Sequence, residues 1–483
     1  MNVFDYFFET NHDLDKDFVL GTKEVISYKD LYNNSLKIAS FLNETIGENK
    51  NVLLVSPNSI FFITAYLGIL KSGNVCIPLN FTIEQSNLEF ISKTTETSTV
   101  FVAKNIQNKL TFEESSLLIN EDFLNEIITT GNLKNFGSMF DKNRLAEIIF
   151  TSGSTGEPKG VMISHNNIIA NTNAIIEYLK LSSKDIISIV LPFFYCYGLS
   201  LLHTHLRIGG SIVLNNSFIF LGAVIDDLKN YKCTGFAGVP SHFQILLKKS
   251  KTFKTTKFPD LRYVTQAGGK LHNVFIEEYV DTFPEIDFYV MYGQTEATAR
   301  LSYLHPELIK KKIGSIGKGI PGVELRVVDS KDKQVAANIE GELIAKGENI
   351  MLGYFKDREE TDNILKNGWL YTGDIAKTDD EGYYYLVARK KEIIKVGGKR
   401  VSPKEIEDVI LMHTDVIDCT VSGINDELLG EAIKATVVTN NISNQLFLKE
   451  SILRLCKEKL SSYKIPTQFE FITELKTKLT GKK

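Results

Sequence analysis

The run Thr151-Ser152-Gly153-Ser154-Thr155-Gly156-Glu157-Pro158-Lys159-Gly160 sets four hydroxyl side chains, three glycines and one lysine directly behind the apolar Ile148-Ile149-Phe150. The apolar residues read as a buried strand, so the run leaves the end of a sheet as a loop. Glycines let that loop turn tightly and present bare N–H groups, the hydroxyls add donors, and Lys159 adds a positive charge. Together they make a cradle for polyphosphate oxygens. The nearest rival pattern, Gly-x-x-x-x-Gly-Lys-Ser/Thr, needs a helix immediately, because the helix amides hold the phosphates. Here Pro158 replaces the second glycine and Gly160 replaces the hydroxyl residue. Val161-Met162-Ile163 continues as a second strand, with Ser164 as the cap of a helix beyond it. The strand-to-helix phosphate loop is therefore excluded.

At 483 residues the chain exceeds one ordinary core, so two or more domains are expected. Its 43% hydrophobic and 24% charged content is that of a soluble globular protein, and a net charge of −4 gives no reason to expect nucleic-acid binding. No basic stretch leading into an apolar one follows Met1, and the longest apolar run, Ile60 to Leu70, is too short to span a bilayer. Cys76, Cys196, Cys233, Cys419 and Cys456 are scattered without metal or redox spacing and read as core residues in a reducing compartment. A cytoplasmic protein without a transmembrane segment is expected.

Up to about residue 300, short β-branched runs alternate with helical patterns: Val52–Val55 before Ser59–Leu70, then Ile186–Leu191, Gly235–Val239, Arg262–Thr265 and Phe288–Met291. Such alternation predicts an α/β fold, a mixed sheet with helices on its faces. From about 310 to 388 the pattern becomes β-rich, with strands at Glu324–Val328, Gly341–Ala345 and Tyr383–Val387. A smaller α+β unit follows: a helix from Pro403 capped by Ser402, strands at Val416–Val421 and Ala432–Val438, a helix over Phe447–Leu460, and a strand near Phe469–Ile472.

Four further motifs stand in order: Tyr292-Gly293-Gln294-Thr295-Glu296, Tyr371-Thr372-Gly373-Asp374, Arg389 through Pro403, and Gly481-Lys482. With the run at 151–160 they resemble the adenylate-forming (AMP-binding) superfamily, which includes acyl-CoA synthetases, firefly luciferase and the adenylation domains of nonribosomal peptide synthetases. The resemblance implies a large N-terminal domain over 1–388, its β-rich subdomain at about 310–388, a hinge at 389–391 and a small mobile lid over 392–483. It implies that ATP and a carboxylic acid form acyl-AMP with release of pyrophosphate, and that the acyl group then passes to a thiol.

The resemblance also implies roles for individual residues. Thr151, Ser152, Gly153, Ser154, Thr155 and Lys159 match the β/γ-phosphate loop. Glu296 matches the ligand of Mg²⁺, a hard cation suited to a carboxylate. Thr295 would contact the α-phosphate, Tyr292 would stack on adenine, and Gly268-Gly269 would line the adenine and acyl sites. Asp374 would take both ribose hydroxyls, Arg389 the ribose and phosphate, and Lys391 the hinge position; the family's usual glycine before the arginine is Ala388 here. Gly397, Gly398 and Lys399 match the lid segment that lines the thiol tunnel. Lys482 matches the lysine bridging carboxylate and α-phosphate, although Lys476-Thr477-Lys478 stands where the family has Pro-Lys-Thr.

Leu191-Pro192-Phe193-Phe194-Tyr195-Cys196-Tyr197-Gly198 matches the acyl-site motif, with Tyr195 as the gating aromatic. Cys196 stands where amino-acid-activating members carry an aspartate, and an ammonium group without a counter-charge is costly in an apolar pocket. A neutral-tailed fatty or aryl acid is therefore expected, with Phe236, Gly238, Val239 and Met291 as pocket walls. The acceptor is coenzyme A or the phosphopantetheine of an acyl carrier protein. Both suit the basic stretch Arg389 to Lys404, where seven cations face Glu392 alone until Lys404. An adenylate-binding protein without catalysis is the alternative of another class. If Lys482 bridges the reactants, Lys482→Ala is expected to cut acyl-AMP formation by orders of magnitude and spare thiol transfer from supplied acyl-AMP; unchanged acyl-AMP formation in a pyrophosphate assay would contradict that role.

Overall fold

Ile148-Ile149-Phe150 lie within the strand Leu145–Ser152, which runs antiparallel to Pro158–Ser164 with Thr151 opposite Lys159. The computed structural model describes all residues except 23, 135, 138–139, 153–157, 217, 219, 427–428, 440–443 and 474–483, and only the backbone of Ser152 and Arg400. Gly153, Ser154, Thr155 and Lys482 thus lie outside the described residues. Beyond Pro158–Ser164, the Ser164 hydroxyl accepts from the Asn167 N–H at 3.1 Å and the Asn167 side chain returns the bond, capping the helix His165–Leu179.

Two mostly parallel sheets carry the chain to residue 304. In the first, Leu145–Ser152, Val75–Leu79, Asn51–Val55 and Thr99–Val102 lie side by side in parallel. In the second, Asp17–Leu20, Ser211–Leu214, Ile186–Ile189, Gly235–Gly238, Tyr263–Gln266 and Asp287–Tyr292 do the same, and Ser302–Leu304 adds antiparallel to the last. Apolar runs without alternation bury both faces of such strands. The helix Ile60–Lys71 follows the same logic: the Ser59 hydroxyl caps it, and every residue from Phe61 to Leu70 is buried. One apolar cluster joins Leu54 and Ile149 of the first sheet to Ile187 and Tyr289 of the second.

An antiparallel sheet follows, with Glu324–Val328, Gly341–Lys346, Trp369–Thr378 and Tyr384–Arg389 in order. The Tyr-Thr-Gly-Asp motif sits on its ten-residue strand Trp369–Thr378, which alternates buried and half-buried residues. Gly373, at φ +73°, bends that strand and masks it in the sequence as a turn.

The C-terminal sheet pairs Asp418–Asp426 with Gly430–Val438, and Gln468–Ile472 adds to the latter in parallel. The helix Pro403–Ile410 begins where proline predicts, but the expected cap is absent: the Ser402 hydroxyl donates to the Val387 carbonyl at 2.6 Å instead. This unit docks on the second sheet through a cluster running from Phe243 and Phe275 to Ile406 and Ile410. At the same contact, Asp408 accepts from Lys270 at 2.7 Å and from His272 at 2.5 Å. Among the described residues, no helix is long and apolar enough to cross a membrane.

Burial acts to raise the Asp408 carboxyl, but His272 and Lys270 together hold it below the usual carboxylate range. Its contribution is therefore complete above the unfolded carboxylate pKa and lost as pH falls through the lower folded value. Asp408→Ala should weaken docking by about 1–2 kcal/mol. The check is hydrogen exchange, expected to rise in Pro403–Ile410 at pH 7 in the variant and only below about pH 4 in the parent.

Candidate active site

After Tyr292 the chain turns back so sharply that a Cβ on Gly293 would lie 2.0 Å from the Ala299 carbonyl oxygen. Hydrogen bonds hold the turn: Leu301 N–H to the Tyr292 carbonyl at 2.9 Å, and the Thr298 hydroxyl to the Asn349 carbonyl at 2.6 Å. The Asn349 amide donates to the carbonyls of Ala297 and Arg300 at 3.2 and 2.7 Å. Thr298 takes φ +61°, costly for a β-branched residue and tolerated only where the surroundings enforce it. This one segment presents Tyr292, Thr295, Glu296 and Arg300 to three sets of neighbours.

The first set is Asp374 and Arg389, opposite one another on adjacent strands. The Tyr292 hydroxyl donates to Asp374 Oδ2 at 2.5 Å, and Arg389 Nε lies 3.2 Å from Oδ1. Burial pushes the Asp374 carboxyl up from the ordinary range, against the pull of Arg389 and the Tyr292 hydrogen bond. The Tyr292 ring is buried in a cluster with Ala297, Leu301 and Leu325. Each Asp374 oxygen keeps a further lone pair, which suits a vicinal diol.

The second set surrounds the hairpin that carries the hydroxyl- and glycine-rich run. Gly353–Tyr354 adds to Pro158–Ser164 as an edge strand, with Tyr354 opposite Val161. The Tyr354 hydroxyl donates to Glu296 Oε1 at 2.8 Å, while Lys159 Nζ lies 5.3 Å from the Tyr354 ring centre and 2.7 Å from Glu360 Oε1. The hydrogen bond from Lys159 holds the Glu360 carboxyl below its ordinary range. No cluster of three metal-ligating side chains occurs among the described residues. Glu296 nevertheless fits Mg²⁺ carried on a nucleotide, because that ion takes one or two carboxylates and fills its shell with phosphates and water.

The third set is a cleft bounded by Leu191, Tyr195, Cys196, Val239, Gly268 and Thr295, with Arg300 in its wall. Cys196 opens the helix Cys196–Ile208, and its Sγ lies 3.5 Å from Thr295 Oγ1. Gly268, at φ +83°, turns the chain out of the strand Tyr263–Gln266, and the Gly269 carbonyl accepts from Gln266 at 2.8 Å. Of the four expected pocket walls, only Val239 lines this cleft. Phe236 packs on Phe243 and Gly238 lies against the same ring, because alternate residues of a strand point to opposite faces; Met291 shares the face of Val239, and its Sδ accepts from Tyr178 and Arg300.

The structure thus gathers Thr295, Glu296, Tyr292, Asp374, Arg389, Lys159, Tyr195 and Gly268 around one turn. Thr151 lies opposite Lys159, and Lys391 is exposed beyond Arg389. Gly397-Gly398, at φ +54° and +78°, forms the two-residue turn of a hairpin in the C-terminal unit, from which Lys399 packs over Tyr463 at 4.2 Å. Sequence reasoning missed Tyr354, Glu360 and Arg300. The first two lie outside every motif, and Arg300 stands in a polar run whose burial is invisible in one dimension.

A phosphate reaching this hairpin must take Lys159 from Glu360. Glu360→Gln removes that competitor and is expected to tighten ATP binding about two- to fivefold, the scale of a partly exposed pair, as calorimetry would measure. Unchanged or weaker binding would contradict the competition.

A model of the AMP-binding enzyme family matches residues 8–355, and one of the AMP-binding enzyme C-terminal domain matches 405–482. The chain is 29% identical over 510 residues to a long-chain-fatty-acid–CoA ligase of Escherichia coli O157:H7, with 95% of this chain and 89% of the ligase covered. The fold is that of the anthranilate CoA ligase AuaEII in complex with anthranoyl-AMP (TM-score 0.91, 24% identity, 100% of this chain and 95% of that one). It is likewise that of the o-succinylbenzoate CoA synthetase of Bacillus subtilis in complex with its acyl-adenylate (TM-score 0.87, 22% identity, 100% and 96% covered). With family models covering both its large N-terminal part and its C-terminal unit, the chain belongs to the AMP-binding enzymes.

Proposed function

We propose that this chain joins a carboxylic acid to the thiol of coenzyme A through an acyl-AMP intermediate. The observation that carries the reading is the turn at Gly293, whose one short segment contacts the Asp374 carboxylate through Tyr292, carries the Glu296 carboxylate and lines the cleft at Thr295 and Arg300. In the first half-reaction a carboxylate oxygen attacks the α-phosphorus of ATP and the bond to the β-phosphate oxygen breaks, releasing pyrophosphate. In the second the thiol sulfur attacks the acyl carbon, AMP departs with the anhydride oxygen, and the thiol proton passes to solvent.

Little covalent chemistry falls to the protein, so positioning and charge must supply the rate. Asp374, steadied by Tyr292 and Arg389, would hold the ribose. Lys159 and the run at 151–155 would hold the β- and γ-phosphates, and Thr295 would meet the α-phosphate. Glu296 would hold Mg²⁺, which when bound neutralises phosphate charge. Lys482 would bridge carboxylate and phosphate after the lid, hinged at 389–391, closes over the cleft, and Gly397, Gly398 and Lys399 would serve the thiol stage. With Cys196 at the ammonium-pairing place, α-amino acids are disfavoured. Exposed Lys391, Lys395 and Lys399 suit the phosphates of coenzyme A or of a phosphopantetheinyl carrier protein, and turnover with each separates the two. Five buried free cysteines suit a reducing compartment such as the cytoplasm.

The test is exchange of labelled pyrophosphate into ATP across a panel of fatty and aryl acids. Exchange is expected only when an acid is added. Its absence with every acid would contradict the ligase reading and favour a non-catalytic adenylate binder.

A further inference from the structure

Arg300 is 2% exposed, one of the largest fully buried side chains of the protein, and it lines the acyl cleft. Its neighbours are unusual for a buried cation. The guanidinium carbon lies 4.1 Å from the centre of the Tyr197 ring. Nε donates to Met291 Sδ at 3.2 Å, a weak acceptor, and Nη1 to the Ala299 carbonyl at 3.3 Å. The Tyr178 hydroxyl is a further hydrogen-bond partner. Among the described residues no carboxylate pairs with it, although buried charges are ordinarily paired. Arg300's own partners are neutral, so an anion entering the cleft would find the guanidinium charge unmatched.

We infer that the cleft takes an acid bearing a second carboxylate, whose distal end pairs with Arg300 while the other end is activated. This rests on the acid-activating reading above and replaces the neutral tail expected from the sequence. The reacting carboxylate is a poor counter-charge for Arg300, because its own charge disappears when it becomes the mixed anhydride and stays absent in the thioester. A distal carboxylate keeps its charge through both half-reactions. The planar guanidinium, braced on Tyr197 and held through Nε and Nη1, lines the cleft as a fixed cation whose remaining N–H groups suit a carboxylate. Small residues at Gly198, Ala267 and Ala299 line the same cleft, and Tyr197 bounds it, which favours a short diacid over a long alkyl chain.

The experiment compares kcat/KM for acid-dependent pyrophosphate exchange within length-matched pairs: butyrate and succinate, hexanoate and adipate, p-toluate and terephthalate. The diacid is expected to exceed its partner at least about tenfold in one or more pairs, the effect of a single charge-assisted contact. Arg300→Met should reverse that preference with the larger loss in KM, and Arg300→Lys should restore part of it. Preference for the monoacid in every pair by the unaltered protein overturns the inference whether or not the variants fold, and leaves acid activation standing. Exchange with no acid at all overturns both.

Discussion

The contact between Gly293 and the Ala299 carbonyl is the constraint on which the site depends. A side chain there would need space already filled by backbone, so only glycine allows the turn to close. Closure forces Thr298 into the left-handed region, and Asn349 offsets that strain by binding two backbone carbonyls and the Thr298 hydroxyl. The consequence is spatial. A strand end, the Glu296 carboxylate and a buried arginine are brought within one turn of chain, each facing a different element.

Charge organises the same region. Asp374 is buried and would favour its neutral form, but Arg389 and the Tyr292 hydroxyl draw it towards the ionised state needed to accept two hydroxyls. Lys159 and Glu360 satisfy one another beside the hairpin of Leu145–Ser152 and Pro158–Ser164. Arg300 stands apart because its partners are a thioether, a carbonyl, a hydroxyl and a ring. The cations Lys159 and Arg389 are thus each paired with a carboxylate, while Arg300 at the cleft is held by neutral groups.

Much of this was legible in one dimension. Unbroken apolar runs located the parallel strands Asn51–Val55, Ile186–Ile189, Gly235–Gly238, Tyr263–Gln266 and Asp287–Tyr292 within a residue or two, but not Asp17–Leu20, Val75–Leu79, Thr99–Val102 or Ser211–Leu214. Motif order located Asp374, Glu296 and Arg389. What failed to show did so for physical reasons. Trp369–Thr378 was hidden by Gly373, whose positive φ bends a strand instead of ending it. Ser402 had the right identity for a cap but found a better acceptor in Val387, a contact set by tertiary packing. Among the expected pocket walls, Phe236 is turned by strand alternation into the cluster with Phe243, whereas Met291 shares the face of Val239 with its sulfur bonded to Tyr178 and Arg300. The burial of Arg300 depends on a turn whose tightness no single residue type declares.

The central claim is that the cleft holds an acid oxygen in line with the α-phosphorus of ATP. Turnover of an acid labelled with ¹⁸O in its carboxylate tests it most directly, by mass analysis of the nucleotide and phosphate products. The account predicts one labelled oxygen in each AMP and none in pyrophosphate. Label in inorganic phosphate with ADP as the nucleotide product, or unlabelled AMP, would contradict it.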